Sequence, residues 1–520
     1  MNKNIVNFIH FIRGIEPRDS TDLLEPVKRQ VEFHNHYNLP ATFLYQYDAF
    51  MQPEMVDAVV KNCKAEHEIG GWYEIMRPLC EKAGIEWRGR PGFDWDWHAH
   101  CGFSVGYTVS ERKLLADTYM ISFKKVFGYY PKSVGSWIID IVTLTYLHEQ
   151  YGVSVSCNCK EQWGTDGYTL WGGYYSGAYY PSRMNAYMPA QTAEKQLKMP
   201  IFKMLGPDVI HQYDFGLDVD SQQEDTAVQQ VVTLEPVYAG STGGGGNEKW
   251  VDWFLNENFS FPCLSIAYAQ AGQENSFGWS AMAKGLEMQF PKIHKLAQGG
   301  NISVQTLGQS GQDFISRFET NPPTVTAALS DWTGADTKSV WYCCKNYRTN
   351  LYWSGGKVWL RDFHIFNENY AERYLDKACR EDFLAYDTLP VMDGNRFSRA
   401  GVRAGAYLTH RGAPIHFDSL RLLEECENCL VCCLGGEFPV TISFKEQAVE
   451  IQTANDKPIC LSFIYGSSKN LPEYTIEENK VHFIHQGFEY TLNTQENPIR
   501  KTSVGFDVFG NNRLVKIELT

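Results

Sequence analysis

Short apolar runs alternate with amphipathic stretches of helical period over the first 315 residues of the chain. Runs of strand length, bounded by polar or turn residues, lie at 5–12, 41–47, 67–72, 133–139, 153–159, 263–269 and 301–307. Apolar positions three and four apart predict helices over 23–37, 53–66, 110–128, 141–152 and 279–297. A further strand falls within 201–213, where the pattern does not fix its bounds. Strands that alternate with helices in this way are typical of a parallel sheet or an α/β barrel.

The pattern changes at about residue 320, where the period of the apolar positions becomes two. Apolar and polar residues alternate over 358–366, 440–452, 459–466, 480–492 and 513–520. One helical stretch interrupts them, over 370–386. The pattern predicts two domains, a barrel over 1–320 that carries the catalytic site and a β-rich C-terminal domain over 321–520, an antiparallel sandwich.

The charge balance narrows the classes of partner. The chain has 47 Lys and Arg against 61 Asp and Glu, a net charge of −14, and a pI near 5.5. Such a surface repels nucleic acid and anionic lipid, so neither a nucleic-acid nor a membrane partner is expected. No apolar run approaches the ~18 residues of a membrane span. Asn7, His10 and Arg13 interrupt the N-terminal apolar run and no cleavage site follows it, so we expect no signal peptide and a cytoplasmic location.

Aromatic and cysteine residues add two further expectations. Aromatic side chains make up 14% of the chain, and many lie beside Gly, Asp or Asn, which suits a cleft that stacks sugar rings. The segment 426–433, CENCLVCC, has the Cys-x-x-Cys spacing of a zinc site, but no second Cys/His pair lies nearby. A buried strand that uses Cys as a small apolar residue is the favoured interpretation, and no cofactor is expected.

The stretch AEHEIGGWYEI, residues 65–75, carries a family resemblance. Its residues 67–70, HEIG, resemble the strand that opens the second motif of polysaccharide deacetylases. In that family two later histidines hold the catalytic metal, and here Trp72 and Met76 fill their places. The resemblance therefore implies a deacetylase-like barrel without the family's metal ligands.

Other motifs match in the same order over residues 5–160. The family's first motif, Thr-Phe-Asp-Asp-Gly, falls on 10–14, where Ile12 and Arg13 replace the two aspartates. Residues 39–50 resemble the second strand, and Gly135 or Ser136 replaces the arginine of the third motif. A metal-bound water cannot form on such a set, so no metal is expected.

The resemblance extends in architecture to glycoside hydrolases of families 57 and 38, which have seven-stranded barrels followed by β domains. It implies an α/β fold with a (β/α)7-type barrel and a C-terminal antiparallel β-sandwich domain. Family 57 enzymes take a nucleophile from the fourth strand and an acid from the seventh. In this chain Asp140 closes the predicted fourth strand and Glu274 follows the likely seventh. These two are the predicted catalytic residues, with Asp140 as the nucleophile or base and Glu274 as the general acid. Asp140 would also cap the helix at 141–152, and Glu274 would also suit a solvated loop.

Substrate-binding residues are expected where parallel strands end, because barrel active sites form there. Those ends, with the adjacent aromatic clusters, supply Glu161 and the predicted binding set His10, Glu16, Asp48, Glu68, Trp72, Trp97, His98, His100, Asp166 and Trp171.

The sequence thus predicts a glycoside hydrolase that cleaves oligosaccharides or glycosides with two carboxylates. Two alternatives stay open. One is a divergent metal-dependent deacetylase that rebuilt its site around Asp94, Asp96, His98 and His100. The other is a sugar-binding protein without catalysis. A homo-oligomer is also left open.

Overall fold

The computed structural model describes residues 3–16, 21–165, 167–217, 231–386, 388–426, 428–454, 456–466 and 471–519. Asp166, one of the predicted binding residues, lies outside these ranges.

The helices of the first half surround its strands. Their bounds are α1 Leu24–Tyr37, α2 Tyr47–Phe50, α3 Pro53–Val60, α4 Arg77–Ala83, α5 Ala99–Gly102, α6 Val109–Phe127, α7 Ile141–Tyr151, α8 Glu248–Ser260, α9 Trp279–Gln298 and α10 Leu307–Arg317. The strands up to α10 are β1 Asn4–Ile12, β2 Ala41–Tyr45, β3 His67–Trp72, β4 Val134–Gly135, β5 Ser156–Asn158, β6 Gln162–Thr165, β7 Tyr168–Leu170, β8 Ala178–Tyr179, β9 Pro181–Ser182, β10 Asn185–Pro189, β11 Ile201–Lys203, β12 Ala267–Ala271 and β13 Ser303–Gln305.

Helix boundaries follow from local chemistry. Thr108 begins α6 with a capping box, in which its hydroxyl accepts from the N–H of Glu111 and the Glu111 carboxylate accepts from the N–H of Thr108. Gly128 ends the same helix in the left-handed conformation at φ 86°. The helix is therefore fixed at both ends by its own sequence.

Parallel strands form the barrel wall. The order β12-β1-β2-β3-β4 is a continuous parallel ladder, and the bridge between Ser133 and Val155 joins β4 to β5. Strand β5 pairs in parallel with β11, and the Leu205 N–H donates to Gln270 Oε1 to connect β11 with β12. Strand β13 pairs with the first half of β1. The carboxyl ends of these strands therefore point to one face of the barrel.

The second half of the chain is β-rich. Its strands are β14 Thr324–Ala328, β15 Thr337–Cys343, β16 Tyr347–Ser354, β17 Lys357–Ile365, β18 Leu384–Ala385, β19 Leu389–Asp393, β20 Gly405–His410, β21 Ala413–Pro414, β22 Ser419–Cys426, β23 Cys429–Gly435, β24 Val440–Lys445, β25 Ala448–Thr453, β26 Cys460–Ile464, β27 Glu473–Glu477, β28 Lys480–His485, β29 Phe488–Asn493, β30 Ile499–Thr502, β31 Gly505–Phe509 and β32 Leu514–Glu518.

Two antiparallel sheets account for most of them. One has the order β14-β15-β16-β17-β20-β26-β31-β30, and the other has the order β22-β23-β24-β25-β32-β29-β28-β27. The two pack together through aromatic contacts such as Tyr342 on Phe444, with ring centroids 5.8 Å apart. The predicted fold class, an α/β barrel followed by an antiparallel β-sandwich, is confirmed.

The barrel and the β sheets are not separated along the chain at every point. Helix α10 ends at Arg317 and β14 begins at Thr324, but β18 pairs in parallel with β7 of the first half. The division into domains at residue 320 therefore stays a prediction.

The predicted helix over 370–386 is wrong, because no helix is assigned there within the part of the chain that the structure describes. Its polar groups bond to distant partners instead: Arg112 donates to the carbonyls of Tyr374 and Lys377, and the Glu372 carboxylate accepts from the N–H of Ile141. Tertiary hydrogen bonds replace the intrahelical ones.

The cysteine-rich segment agrees with the strand interpretation. Cys429 and Cys432 lie in β23 and are buried. Within the described ranges, no helix combines the length and the apolar character that crossing a membrane requires.

Candidate functional site

A cavity of about 250 Å³ opens at the carboxyl ends of the barrel strands. Five of its lining residues directly follow strands or lie a few residues beyond them: Arg13 after β1, Trp137 after β4, Cys159 after β5, Leu205 after β11 and Glu274 after β12. This is the end at which parallel barrels place their active sites. The other lining residues are Trp95, Trp97, Phe103, Gln162, Tyr168, Val231, Glu235, Tyr238 and Phe277.

Aromatic side chains form much of the cavity wall. Trp95 and Trp97 lie with ring centroids 6.1 Å apart, and Phe103 packs edge-on against Tyr168 at 5.7 Å. Trp72, at the end of β3, is fully buried behind this wall, where it contacts Trp137 at 5.0 Å. Flat aromatic walls suit the apolar faces of sugar rings, with Trp72 as support and Trp97 as lining.

Arg13 is the fixed cation of the cavity. Its guanidinium lies 3.1 Å from a Glu74 oxygen, 3.3 Å from Glu274 and 3.7 Å from Glu16. The Trp95 ring lies 4.0 Å from the guanidinium carbon. Because three carboxylates surround one cation, the charge of Arg13 is balanced within the protein.

The side chains at the deacetylase metal positions do not fit a metal ion. Arg13 places a positive charge where the family has an aspartate, and Trp72 packs on Phe11 with ring centroids 4.2 Å apart. Met76 is fully buried at the start of α4. Across the described ranges, no group of three or more His, Cys, Asp or Glu side chains is placed to hold a metal. We therefore derive no chemical step through one.

Glu274 is held at the end of β12 by contacts to β1. It is 4% exposed, accepts a 2.6 Å hydrogen bond from Ser276 Oγ, and pairs with Arg13. The neighbouring Asn275 amide accepts from the Arg13 N–H at 2.9 Å and donates to the Arg13 carbonyl at 2.8 Å. The carboxylate is thus fixed in direction against the guanidinium.

Gly272 permits this close approach. It adopts φ 104°, and a Cβ there would lie 2.3 Å from the carbonyl oxygen of Ile9. Only glycine fits both the backbone conformation and the space.

Glu235 is the second carboxyl of the cavity. It is 5% exposed, and it accepts hydrogen bonds from Thr233 Oγ1 at 2.9 Å and from Gln273 Nε2 at 3.0 Å. Burial raises the pKa of Glu235 to about 7; the two hydrogen bonds act in the opposite direction, and the Glu274 charge adds to the rise. Glu235 therefore holds a proton near neutral pH while Glu274 faces a cation.

The loop that carries Glu235 is tightly packed. Gln289 of α9 donates to the carbonyls of Leu234 and Gly245 at 2.8 and 2.6 Å. Gly243 has φ 99°, and a Cβ there would lie 2.3 Å from the Trp250 ring. Close packing thus accounts for part of the glycine run at 243–246.

Two more buried carboxyls lie around Arg13. Burial raises the pKa of both Asp48 and Glu74 to about 7. Asp48 accepts from the N–H of Gly14 at 2.9 Å, and Glu74 accepts from Gln46 Nε2 at 3.0 Å. Neither they nor Glu16 line the cavity, so their contacts stabilise the end of β1 rather than a ligand.

Asp140 has the contacts of a helix cap. Its side chain accepts from the N–H of Thr143 at 2.9 Å at the start of α7, from Ser104 Oγ at 2.5 Å, and from Arg112 at 3.0 Å. It is fully buried and is not among the cavity-lining residues. The capping alternative is confirmed, and the structure does not bring Asp140 together with Glu274 at the cavity.

Three other predicted binding residues lie away from the cavity. His10 is buried and contacts His34 through their Nε2 atoms at 2.8 Å. Trp171 donates to Asp393 at 2.8 Å between the barrel and the β sheets. Glu68 lies at the amino end of β3, where it accepts from Ser133 Oγ and, at 2.7 Å, from the Gly308 N–H. Glu68 therefore lies at the amino end of its strand, whereas barrel active sites form at the carboxyl end, where Trp72 lies.

The polar cluster at 94–100 is internally paired. Asp96 accepts from Arg90 Nε and Nη2, both at 2.9 Å, and Asp94 pairs with Arg77 at 3.2 Å. His98 lies 3.4 Å from Asp96. His100 contacts the carbonyl of Arg88 at 3.2 Å and Asp382 at 3.2 Å. Arginine side chains therefore pair with Asp94 and Asp96, the two carboxylates that a rebuilt metal site would need.

Sequence reasoning missed Glu235 and Arg13. Glu235 lies in a loop between β11 and α8, just before the glycine run, and only that run marked the region as close to a site. Arg13 stands where the deacetylase motif has an aspartate, and this replacement was the signal in the sequence for a cation in the cavity.

No protein-family model matches the chain, and no curated protein sequence matches it. Solved structures do. A candidate glycoside hydrolase/deacetylase from Parabacteroides distasonis is 16% identical with a TM-score of 0.54, and the match covers 75% of this chain and 88% of that one.

Two other solved structures are more distant. A candidate polysaccharide deacetylase from Mycobacterium smegmatis is 13% identical over 61% of this chain and 91% of its own, with a TM-score of 0.37. A GH57 branching enzyme from Thermococcus kodakaraensis is 9% identical over 61% and 71%, with a TM-score of 0.29. These two carry no argument by themselves. The first likeness shows the fold alone: the chain shares the barrel fold of that structure.

Proposed function

We propose that the protein is a glycoside hydrolase in which Glu235 is the general acid and Glu274 is the nucleophile or base. One observation carries the proposal. Two carboxyls line one aromatic cavity, and their surroundings differ: burial holds Glu235 protonated to about pH 7, whereas Glu274 faces Arg13. Glycoside hydrolysis needs such a pair, with one carboxyl protonated and the other ionised.

The chemistry follows from the two environments. Glu235 donates its proton to the glycosidic oxygen as the bond to the leaving group breaks, and Glu274 either attacks the anomeric carbon or removes a proton from the attacking water. The aromatic wall holds the sugar ring and limits the water that reaches it. The substrate class is an oligosaccharide or a glycoside, and a cytoplasmic location and a homo-oligomer remain part of the proposal.

A metal-dependent deacetylase is the second candidate, since a structural neighbour with a TM-score of 0.54 is described as a candidate glycoside hydrolase/deacetylase. The donor set weighs against it. Arg13, Trp72 and Met76 stand at the positions where deacetylases have their metal ligands. In the 94–100 cluster, the carboxylates are paired with arginines.

Kinetics of purified variants on a panel of aryl glycosides test the proposal. Glu235→Gln and Glu274→Gln should each lower kcat/KM by roughly 10²–10⁴-fold, the usual contribution of a positioned acid or base. Glu68→Gln is the matched control, because it removes a largely buried glutamate at the opposite end of the barrel. Equal rates in all three variants and the wild type would refute the assignment. Acetate release without glycoside cleavage would support the deacetylase instead.

A further inference from the structure

Arg348 links the C-terminal sheet to the barrel half of the chain. It lies in β16 and is fully buried. Its Nε and Nη2 donate to the two Asp362 oxygens at 2.9 and 2.8 Å, which is a forked pair within the same sheet. Its remaining nitrogen, Nη1, donates to Glu161 at 2.7 Å and to the carbonyl of Gly173 at 3.0 Å. One guanidinium therefore holds both parts of the chain.

Glu161 is the point at which this contact meets the barrel. Its Oε2 accepts from the N–H of Gly172 at 2.6 Å in addition to Arg348, and its Oε1 lies 3.5 Å from Nζ of Lys203 on β11. A carboxylate bound at this many points has one fixed orientation, and the backbone that carries it is fixed as well.

The residues beside Glu161 form the cavity wall. Cys159 and Gln162 both line the cavity, and the Cys159 thiol lies 3.3 Å from Gln162 Oε1. Between them Lys160 is fully buried and donates to the Glu161 carbonyl at 3.1 Å. Lys160 also acts electrostatically on Glu235. The 159–162 segment therefore forms part of the cavity wall, and its Lys160 also influences the charge of Glu235, the proposed acid.

We infer that Arg348 is a positioning residue for the cavity: through Glu161, it fixes the 159–162 segment, so the C-terminal sheet is part of the functional site. The inference rests on the cavity being the site of the proposed function. Arg348 itself is not among the residues that line the cavity.

The charges within the network show why arginine is required. Despite burial, which acts in the opposite direction, Arg348 and His364 lower the pKa of Asp362 to about 2. Arg348 pairs with both Asp362 and Glu161, and a single planar fork reaches the two carboxylates from one position. A lysine supplies the charge but not the two-sided geometry.

Hydrogen exchange followed by mass spectrometry tests the inference in the full chain without any activity assay. In Arg348→Gln, amides of residues 159–173 should exchange roughly tenfold faster, the change expected when a charged hydrogen bond is lost. Arg348→Lys should show a smaller increase in exchange in the same segment. It provides a second test of the contact if Arg348→Gln does not fold. Val449→Ala, a truncation of a buried side chain in β25, is the stability control and should leave this segment protected.

Kinetics supply the second readout. Arg348→Gln should lower kcat/KM by roughly 10- to 100-fold through misplacement of the wall. The alkaline limb of its pH profile should move upward, because Lys160 no longer favours ionisation of Glu235. Adding Glu161→Gln to Arg348→Gln should cost less than the two single losses combined, since both act through one contact.

Three results would overturn the inference: wild-type protection of 159–173 in both Arg348 variants, a loss of protection no larger than in Val449→Ala, or additive losses in the double variant. A wild-type protein that cleaves no glycoside would refute the proposed function, but the exchange result would still decide whether Arg348 fixes the wall.

Discussion

Replacing Glu235 with glutamine should change how the stability of the protein depends on pH. Glutamine keeps the volume of the side chain. Its carbonyl oxygen can accept from Gln273, and its amide can donate to Thr233, whose hydroxyl both donates and accepts. The substitution therefore removes a titratable proton from the cavity and leaves the packing in place.

The magnitude follows from the pKa of Glu235. Burial raises it from 4.5 to about 7, and each pH unit corresponds to about 1.4 kcal/mol. Between pH 4.5 and 7 the folded protein binds more protons at this group than the unfolded chain does. Ionisation of Glu235 therefore costs the wild type about 3 kcal/mol of stability as the pH rises through this window, and the glutamine variant lacks this contribution.

Urea-unfolding midpoints at pH 4, 6 and 8 measure the effect. The variant should gain on the wild type steadily from pH 4 to pH 8, with Asp48 and Glu74 titrating equally in both proteins. Glu54→Gln, which removes an exposed carboxylate, is the control and should show no such trend. A difference between Glu235→Gln and the wild type that stays constant over this range would refute the claim that the cavity holds Glu235 protonated.

Three further predictions follow from the same contacts. Asp140→Asn should keep the cap of α7, because Asn caps as well as Asp, but it leaves the Arg112 charge buried without the carboxylate that balances it. We therefore expect a loss of roughly 3–5 kcal/mol in unfolding experiments with an unchanged kcat/KM of the folded protein, and a catalytic defect would return Asp140 to the site. Dialysis against a chelator should leave the activity intact, and a loss that added zinc restores would refute the metal-free account. Truncation after residue 320 should yield aggregated protein on gel filtration, because it exposes apolar surface such as the face of Tyr175 that stacks on Trp341 at 3.7 Å, and a monodisperse, active fragment would contradict this.

The barrel could be predicted from the sequence because its signals are local. The runs at 5–12 and 41–47 became β1 and β2, and the period of 110–128 became α6, with shifts of one or two residues at the ends. The segment 370–386 failed because its helical period is overridden by hydrogen bonds to Arg112 and Ile141, residues more than 200 positions away.

The site was predicted only in part. Glu274 could be found because it follows a strand, and strand ends are visible in the pattern. Glu235 could not, because its position depends on a loop folded against α9 and on Gln273, and no local period reports such contacts. The position of Asp140 in the sequence suits both a catalytic residue at a strand end and a helix cap. Only its contacts to Arg112 and Ser104 in the structure distinguish the two roles.

The dependence of turnover on the leaving group tests the central claim most directly. Aryl glycosides with leaving groups of graded acidity would be compared in the wild type, Glu235→Gln and Glu274→Gln. An acidic leaving group departs without a proton, so Glu235→Gln should approach wild-type turnover on the most activated substrate, whereas Glu274→Gln should stay roughly 10²–10⁴-fold slower on all of them. Equal losses in Glu235→Gln across the whole series, or wild-type turnover in Glu274→Gln, would contradict the assignment of acid and nucleophile or base to these two carboxyls.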